Sequence, residues 1–293
     1  MVDQASRNCE SGCGKPSPLS CLRFIPQLLY TLIKMPKFAA NLNLLFTEVP
    51  FLERFAAAAQ AGFRGVEFLF PYEHRPDDLQ RQLEKHNLTQ ALFNLPPGDW
   101  QAGERGMAAI PGREEEFEVS VDLALEYAKA TGVGRLHGMA GLVPESQRTA
   151  ARETFIRNLR LAARKVAKPG LDLLIEPLNP QDMPGYFLAH IDEAVAVIDD
   201  VGEANLKLQF DVYHRQMTEG DVARSLREHF PRIGHIQIAN VPGRHDPDFG
   251  ELNYPFLFNL LDELGYDGWV GCEYKPRAGT LPGLGWFHAL QPG

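Results

Sequence analysis

Short apolar runs alternate along this chain with longer stretches in which apolar residues recur at helical spacing. The runs predict strands over 37–43, 65–70, 88–94, 134–138, 173–176, 205–211, 232–238 and 268–273. The longer stretches predict helices over 48–61, 76–86, 113–131, 147–167, 190–201, 218–229 and 254–264. Punctuation supports these bounds: Gly62 and Gly265 sit at helix stops, Pro76 in a first helical turn, and Thr218 at an N-cap position. A Gly- and Pro-rich stretch, 95–112, reads as a long loop of the kind used for lids and binding.

Strands that alternate with helices imply a parallel sheet. Eight such units in about 260 residues fit a single closed (β/α)8 barrel, the TIM-barrel architecture of the α/β class, over 35–293. An open, doubly wound sheet is the rival. No Gly-x-Gly-x-x-Gly follows the first strand, so a dinucleotide site is not supported. Residues 1–34 differ in composition, being rich in Ser, Cys, Gly and Pro before an apolar stretch broken by Pro26 and Gln27. They are expected to form a disordered N-terminal extension, with Met35 beginning the folded chain.

Four strand ends share a feature. Leu173-Leu174-Ile175-Glu176-Pro177 is an apolar run closed by a carboxylate, and Asp211, Gln237 and Glu273 stand at the ends of later runs. A strand buried on both faces cannot hide an ionised carboxylate without a partner. In a barrel, consecutive strands are about 5 Å apart and the chemistry gathers at their C-terminal ends, so the four side chains converge. Carboxylates crowded together repel one another, and a divalent cation resolves that. Two Glu, one Asp and an amide oxygen form an all-oxygen shell suited to Mg²⁺ or Mn²⁺ rather than zinc. Such an ion polarises a carbonyl and stabilises developing negative charge, and two flanking glutamates can move a proton between adjacent carbons. Asn179, His214, Arg244 and Lys275 lie within a few residues of these ends, and Asn41, Glu67 and His137 close earlier strands. They are candidates for binding a substrate, with loop salt bridges as the plainer explanation of each.

The net charge of −9 and the lack of a basic patch speak against a nucleic-acid partner, including the DNA-repair endonucleases built on similar barrels. No apolar run is long enough to span a bilayer. Cys9, Cys13 and Cys21 cluster in the extension and only Cys272 lies beyond it, which is not a disulfide framework. A cytoplasmic location is the expectation, and a homo-oligomer is compatible with the chain.

The segments Phe38-Ala39-Ala40-Asn41-Leu42, Ile175-Glu176-Pro177-Leu178-Asn179, His235 to His245, Gly271-Cys272-Glu273-Tyr274-Lys275-Pro276 and Gly283-Leu284-Gly285-Trp286 together resemble the hydroxypyruvate isomerase family of the xylose isomerase-like barrels. The resemblance runs from Met35 to the end. It implies interconversion of hydroxypyruvate and tartronate semialdehyde, or of 2-oxo-tetronates, which are one carbon longer. It also implies Glu176 and Glu273 as proton donor and acceptor, and Glu176, Asp211, Gln237 and Glu273 as metal ligands. Many sugar-epimerising relatives have His where this chain has Gln237. A keto-sugar epimerase on a neutral substrate and a non-catalytic anion-binding barrel are the competing expectations.

Overall fold

The computed structural model describes residues 36–290; the expected extension, with Met35 and the three early cysteines, lies outside the described residues. Eight parallel strands close into a barrel in simple order, β1 to β8. They are β1 Lys37–Asn41, β2 Gly65–Glu67, β3 Thr89–Asn94, β4 Arg135–His137, β5 Asp172–Ile175, β6 Leu206–Asp211, β7 Ile233–Ile238 and β8 Trp269–Cys272. The open doubly wound alternative is thereby excluded, because β1 pairs with β8 as well as with β2.

The outer helices are α1 Phe51–Gln60, α2 Pro76–His86, α3 Glu114–Thr131, α4 Arg148–Ala167, α5 Ile191–Val201, α6 Val212–Thr218, α7 Val222–His229, α8 Tyr254–Glu263 and α9 Gly285–Ala289. Their apolar faces bury against the strands, as at Leu79 and Leu83 of α2 and Leu257 and Leu261 of α8. Stops follow local chemistry: α3 and α5 end on left-handed Gly132 and Gly202, and α2 ends on left-handed Asn87. Among the described residues no helix is long and apolar enough to cross a membrane.

One expected helix is corrected. The stretch 218–229 was to be a single helix capped by Thr218, but Thr218 ends α6, and α7 begins after Asp221. The true cap lies upstream: the Asp211 carboxylate accepts the Tyr213 N–H at 2.8 Å, so α6 springs directly from β6. Left-handed Gly220 and Asp221 then break the chain between the two helices. The short α9 has no sequence counterpart of its own, yet Trp286 and Phe287 pack edge-on against Phe38 of β1.

Register controls what fits inside the barrel. Gln237 is level with Gly271, and Asn41 with Glu67. A Cβ on Gly271 would come within 2.3 Å of the Glu67 carboxylate, so the missing side chain on β8 is the space that Glu67 fills. Three hydrogen bonds tether that carboxylate, leaving it little freedom to retreat. Gly271→Ala is therefore expected to destabilise the protein by about 1–3 kcal/mol, the usual cost of overpacking. Urea denaturation measures this, and an unchanged midpoint would show that Glu67 can move aside.

Candidate active site

The site is built at the C-terminal mouth of the barrel. Glu176 follows directly on Ile175, the last residue of β5, and Glu273 on Cys272, the last of β8, while Asp211 ends β6. All three are buried, at 5, 7 and 4% exposure. One donor atom each from Glu176, Asp211 and His214 lies within 4.8 Å of the others, a buried group of the kind that holds a metal ion.

Arg244 supplies the nearest fixed positive charge. Its Nη2 lies 2.9 Å from Asp211 Oδ2 and 3.0 Å from Glu273 Oε1, and its Nε donates to the Glu273 carbonyl at 3.2 Å. The guanidinium also sits over the Tyr213 ring, 5.2 Å from its centroid. Burial works against the charge, but Glu273 and Asp211 outweigh it and hold Arg244 above its ordinary range.

The carboxylates are raised too, which for an acid favours the neutral form. Glu273 is pushed up to about 8, chiefly by burial, with Arg244 resisting and Asp211 and Glu67 adding repulsion. Glu176 rises well above the carboxylate range because it is desolvated and faces Glu273 and Asp211. Asp211 is also raised by burial, moderated by Arg244 and by backbone N–H groups of Tyr213 and His214.

Both nearby imidazoles are neutral. Burial, then His235, pushes His137 down to about 3, so its 3.7 Å approach to Glu176 Oε2 is not an ion pair at neutral pH. Its Nδ1 meets Asn94 Oδ1 at 3.2 Å, and its Nε2 is buried without a protein partner. Burial and Arg244 push His214 down as well. The backbone N–H of Asn179 donates to His214 Nδ1 at 3.1 Å, which leaves the proton on Nε2, facing Asp211 Oδ2 at 3.6 Å.

Gln237 and Glu67 lie in a hydrogen-bonded row. Gln237 Nε2 donates to Glu67 Oε1 at 2.8 Å, and Gln237 Oε1 accepts from Gln209 Nε2 at 2.6 Å. Glu67 Oε2 is 2.7 Å from His235 Nε2 and Oε1 accepts from Asn41 at 3.1 Å. A cavity of about 180 Å³ opens over this arrangement. Its polar wall includes His137, Glu176, His214, Arg244, Glu273 and Lys275, and its apolar wall Leu44, Leu69, Phe70 and Trp100. Asn41, Glu67, Asn179, Asp211 and Gln237 are not in that wall; Asn179 bonds to its His214, Asp211 to its Arg244 and Gln237 to its Gln209, while Asn41 and Glu67 lie one step further back. A larger groove of about 350 Å³ beside Arg148, Arg152 and Phe187 contains none of the strand-end acids.

Three wall residues carry little sequence signal. Trp100 lies in the predicted lid loop, over Phe70 and under Arg105. Asp182 accepts from the Tyr213 hydroxyl at 2.7 Å and from Asn179. Gln209 stands two residues before Asp211 on the same face of β6, a spacing that could have found it.

Residues 55–290 match the family described as the xylose isomerase-like TIM barrel. The chain is 58% identical over 254 residues to a 2-oxo-tetronate isomerase of Cupriavidus necator, covering 86% of this chain and 98% of that one. It is 47% identical over 256 residues to the hydroxypyruvate isomerase of Escherichia coli, with the same coverage. A Brucella melitensis crystal structure described as an AP endonuclease of family 2 superposes with a TM-score of 0.87 at 55% identity, covering 88% of this chain and all of that one. An E. coli 3-keto-D-glucoside 4-epimerase, at 20% identity and a TM-score of 0.72 over 87% of this chain and 100% of that one, shares the fold. The chain thus belongs to the xylose isomerase-like TIM-barrel family, and within it to the isomerases of the hydroxypyruvate and 2-oxo-tetronate group.

Proposed function

We propose that the protein isomerises a small 2-oxo, 3-hydroxy acid, with a four-carbon 2-oxo-tetronate as its main substrate and hydroxypyruvate as a lesser one. The observation that carries this reading is a pair of buried glutamates, both raised toward protonation, on a small cavity that also contains two cations. The four-carbon acid moves ahead of the expected hydroxypyruvate because relatives named for it are at 58% and 48% identity. Arg244 and Lys275 suit an anion, which favours an acid over the neutral sugars of the epimerases. The Brucella structure's name points to DNA, but a chain of net charge −9 and a cavity of about 180 Å³ suit a small molecule.

In the reaction one glutamate removes the proton on C3. The electron pair forms the C2–C3 double bond of an enediolate, and the hydroxyl proton passes from the C3 oxygen to the C2 oxygen. The other glutamate then delivers a proton to C2, leaving the carbonyl at C3. Arg244 and Lys275 hold the substrate carboxylate, with the Nε2–H of His214 and the bare Nε2 of His137 available to substrate oxygens. The apolar wall around Trp100 keeps water from the enediolate.

The residues fit a hard divalent ion. Glu176 Oε1 is buried without a partner, and the crowded carboxylates lack enough positive charge of their own. Glu176, Asp211 and Glu273, with the Gln237 amide oxygen, would hold Mg²⁺ or Mn²⁺. His214 keeps a proton on Nε2 and acts as a donor beside that set, not within it. The ion, when bound, stabilises the negative charge that develops on the substrate oxygens.

Glu176→Gln and Glu273→Gln should each lower kcat by about 10²–10⁴-fold on the four-carbon acid. Solvent-deuterium incorporation at C2, followed by NMR, reads the same step directly. Unchanged turnover in either variant would remove that glutamate from the mechanism. In wild type, kcat/KM should favour the 2-oxo-tetronate over hydroxypyruvate, and a chelator should abolish both activities.

The pH dependence has a definite sign. Glu273 in the folded, metal-stripped protein holds its proton up to about 8, whereas an unfolded glutamate loses it near 4.3. The folded state binds more protons between these values, so stability falls as pH rises through that window. Denaturation in EDTA should give a lower midpoint at pH 8 than at pH 5.5, and added Mn²⁺ should restore it with release of protons. A midpoint that climbs across this range in EDTA would contradict the arrangement.

A further inference from the structure

We infer that Gln209 is a positioning residue for Glu176, and that its direction of donation is set from the opposite side of the barrel by Glu67 through Gln237. The inference deepens the proposed function, since it takes Glu176 as a proton-transfer group. An amide can be turned either way round, so its role depends on what fixes its orientation. Here the Glu67 carboxylate, which accepts at both oxygens, fixes the row. The Asn43 N–H donates to Asn41 Oδ1 at 3.1 Å, so Asn41 must present its Nδ2 to Glu67. The carboxylate oxygen Oε1 can only accept, so Gln237 meets it with Nε2 at 2.8 Å. Gln237 must therefore turn its oxygen to Gln209. Gln209 answers with Nε2, whose two hydrogens go to Gln237 Oε1 at 2.6 Å and Glu176 Oε2 at 3.0 Å.

Asn41 and Gln237 each have one arrangement that satisfies their neighbours, and Gln209 takes the one that serves Gln237 and Glu176 although its own Oε1 is buried without a partner. All of Asn41, Glu67, Gln209 and Gln237 are essentially buried, at 1% exposure, so water cannot easily substitute. The outcome is specific to the chemistry. Oε2 of Glu176 is tethered, while Oε1 is left bare for the proton or a cation. Among the described residues, Gln209 is the side chain that donates a hydrogen bond to the Glu176 carboxylate. Methionine at this position would keep the bulk and remove both donors. A glutamate would instead add a further carboxylate to an already repulsive group.

The test compares wild type with Gln209→Met and Gln209→Leu. Each variant should lose about 10–100-fold in kcat on the 2-oxo-tetronate, with KM changed less than about 3-fold, as for loss of an orienting partner. Mn²⁺ affinity, read by EPR of the free ion without substrate, should weaken by about 10-fold. A purely structural glutamine would lower the unfolding midpoint and leave kcat and Mn²⁺ affinity per folded molecule untouched, which overturns the inference. If wild type turns over neither acid but the variants still bind Mn²⁺ less tightly, the positioning role stands and the proposed function falls. Should both variants fail to fold, a crystal structure of Mn²⁺-loaded wild type decides. Gln209 Nε2 within hydrogen-bond reach of Glu176 supports the inference, and an amide turned away from it overturns the inference.

Discussion

Four carboxyl groups buried in one barrel mouth repel one another, and the rest of the site is arranged around that repulsion. Glu67, Glu176, Asp211 and Glu273 are each at most 7% exposed. Removing such groups from water is costly unless donors or cations replace the lost solvation. The replacement is uneven. Glu67 has Asn41, Gln237 and His235. Asp211 has Arg244 and the Tyr213 N–H. Glu176 accepts a hydrogen bond from Gln209 and has one oxygen bare among the described residues, and Glu273 shares Arg244 with Asp211. The two least compensated acids are those on the cavity wall, where protonation or a bound cation must complete them.

The neighbouring imidazoles belong to the same balance. A protonated histidine would neutralise a carboxylate and remove its basicity. His137 and His214 avoid this because both are buried and stand near other cationic or basic groups, His235 and Arg244. Their outer nitrogens then differ: with Asn94 Oδ1 at its Nδ1, His137 offers a lone pair, and His214 offers an N–H. A substrate with adjacent hydroxyl and carbonyl oxygens needs one of each.

The barrel was legible because its repeat is coarse. Buried strands read as apolar runs, and the glycines and prolines between them mark the turns. The acids were legible because Glu176 and Glu273 interrupt hydrophobic sequence at strand ends, where a charge has no packing role. Helix α6 was hidden because Asp211 acts twice, as site carboxylate and as N-cap, and the more conventional Thr218 drew the boundary downstream. Lys275 lines the cavity although β8 stops at Cys272, so its nearness to the strand end, and not its place in a strand, brings it to the wall. The network through Glu67 could not be read from sequence, since Glu67 and His235 are distant in the chain and meet only because the strands close into a ring. Gly271 gives no sign, by itself, that it makes room for that carboxylate.

Arg244 shows how firmly the scaffold commits to this balance. Its backbone sits at φ 59°, the left-handed region that favours glycine. Glycine there would relax the backbone and remove the guanidinium. The strain, of order 1–3 kcal/mol, persists because neighbours over-determine the loop. Asn240 and His245 bond to each other through their backbones at 2.9 and 3.2 Å, and the Lys275 N–H holds the Arg244 carbonyl at 2.7 Å. A lysine would keep the charge but not the planar group that rests on Tyr213 while it reaches Asp211, Glu273 and the Glu273 carbonyl together. The strained residue, and not a conservative substitute, thus follows from the need to put one flat cation against two carboxylates on different strands.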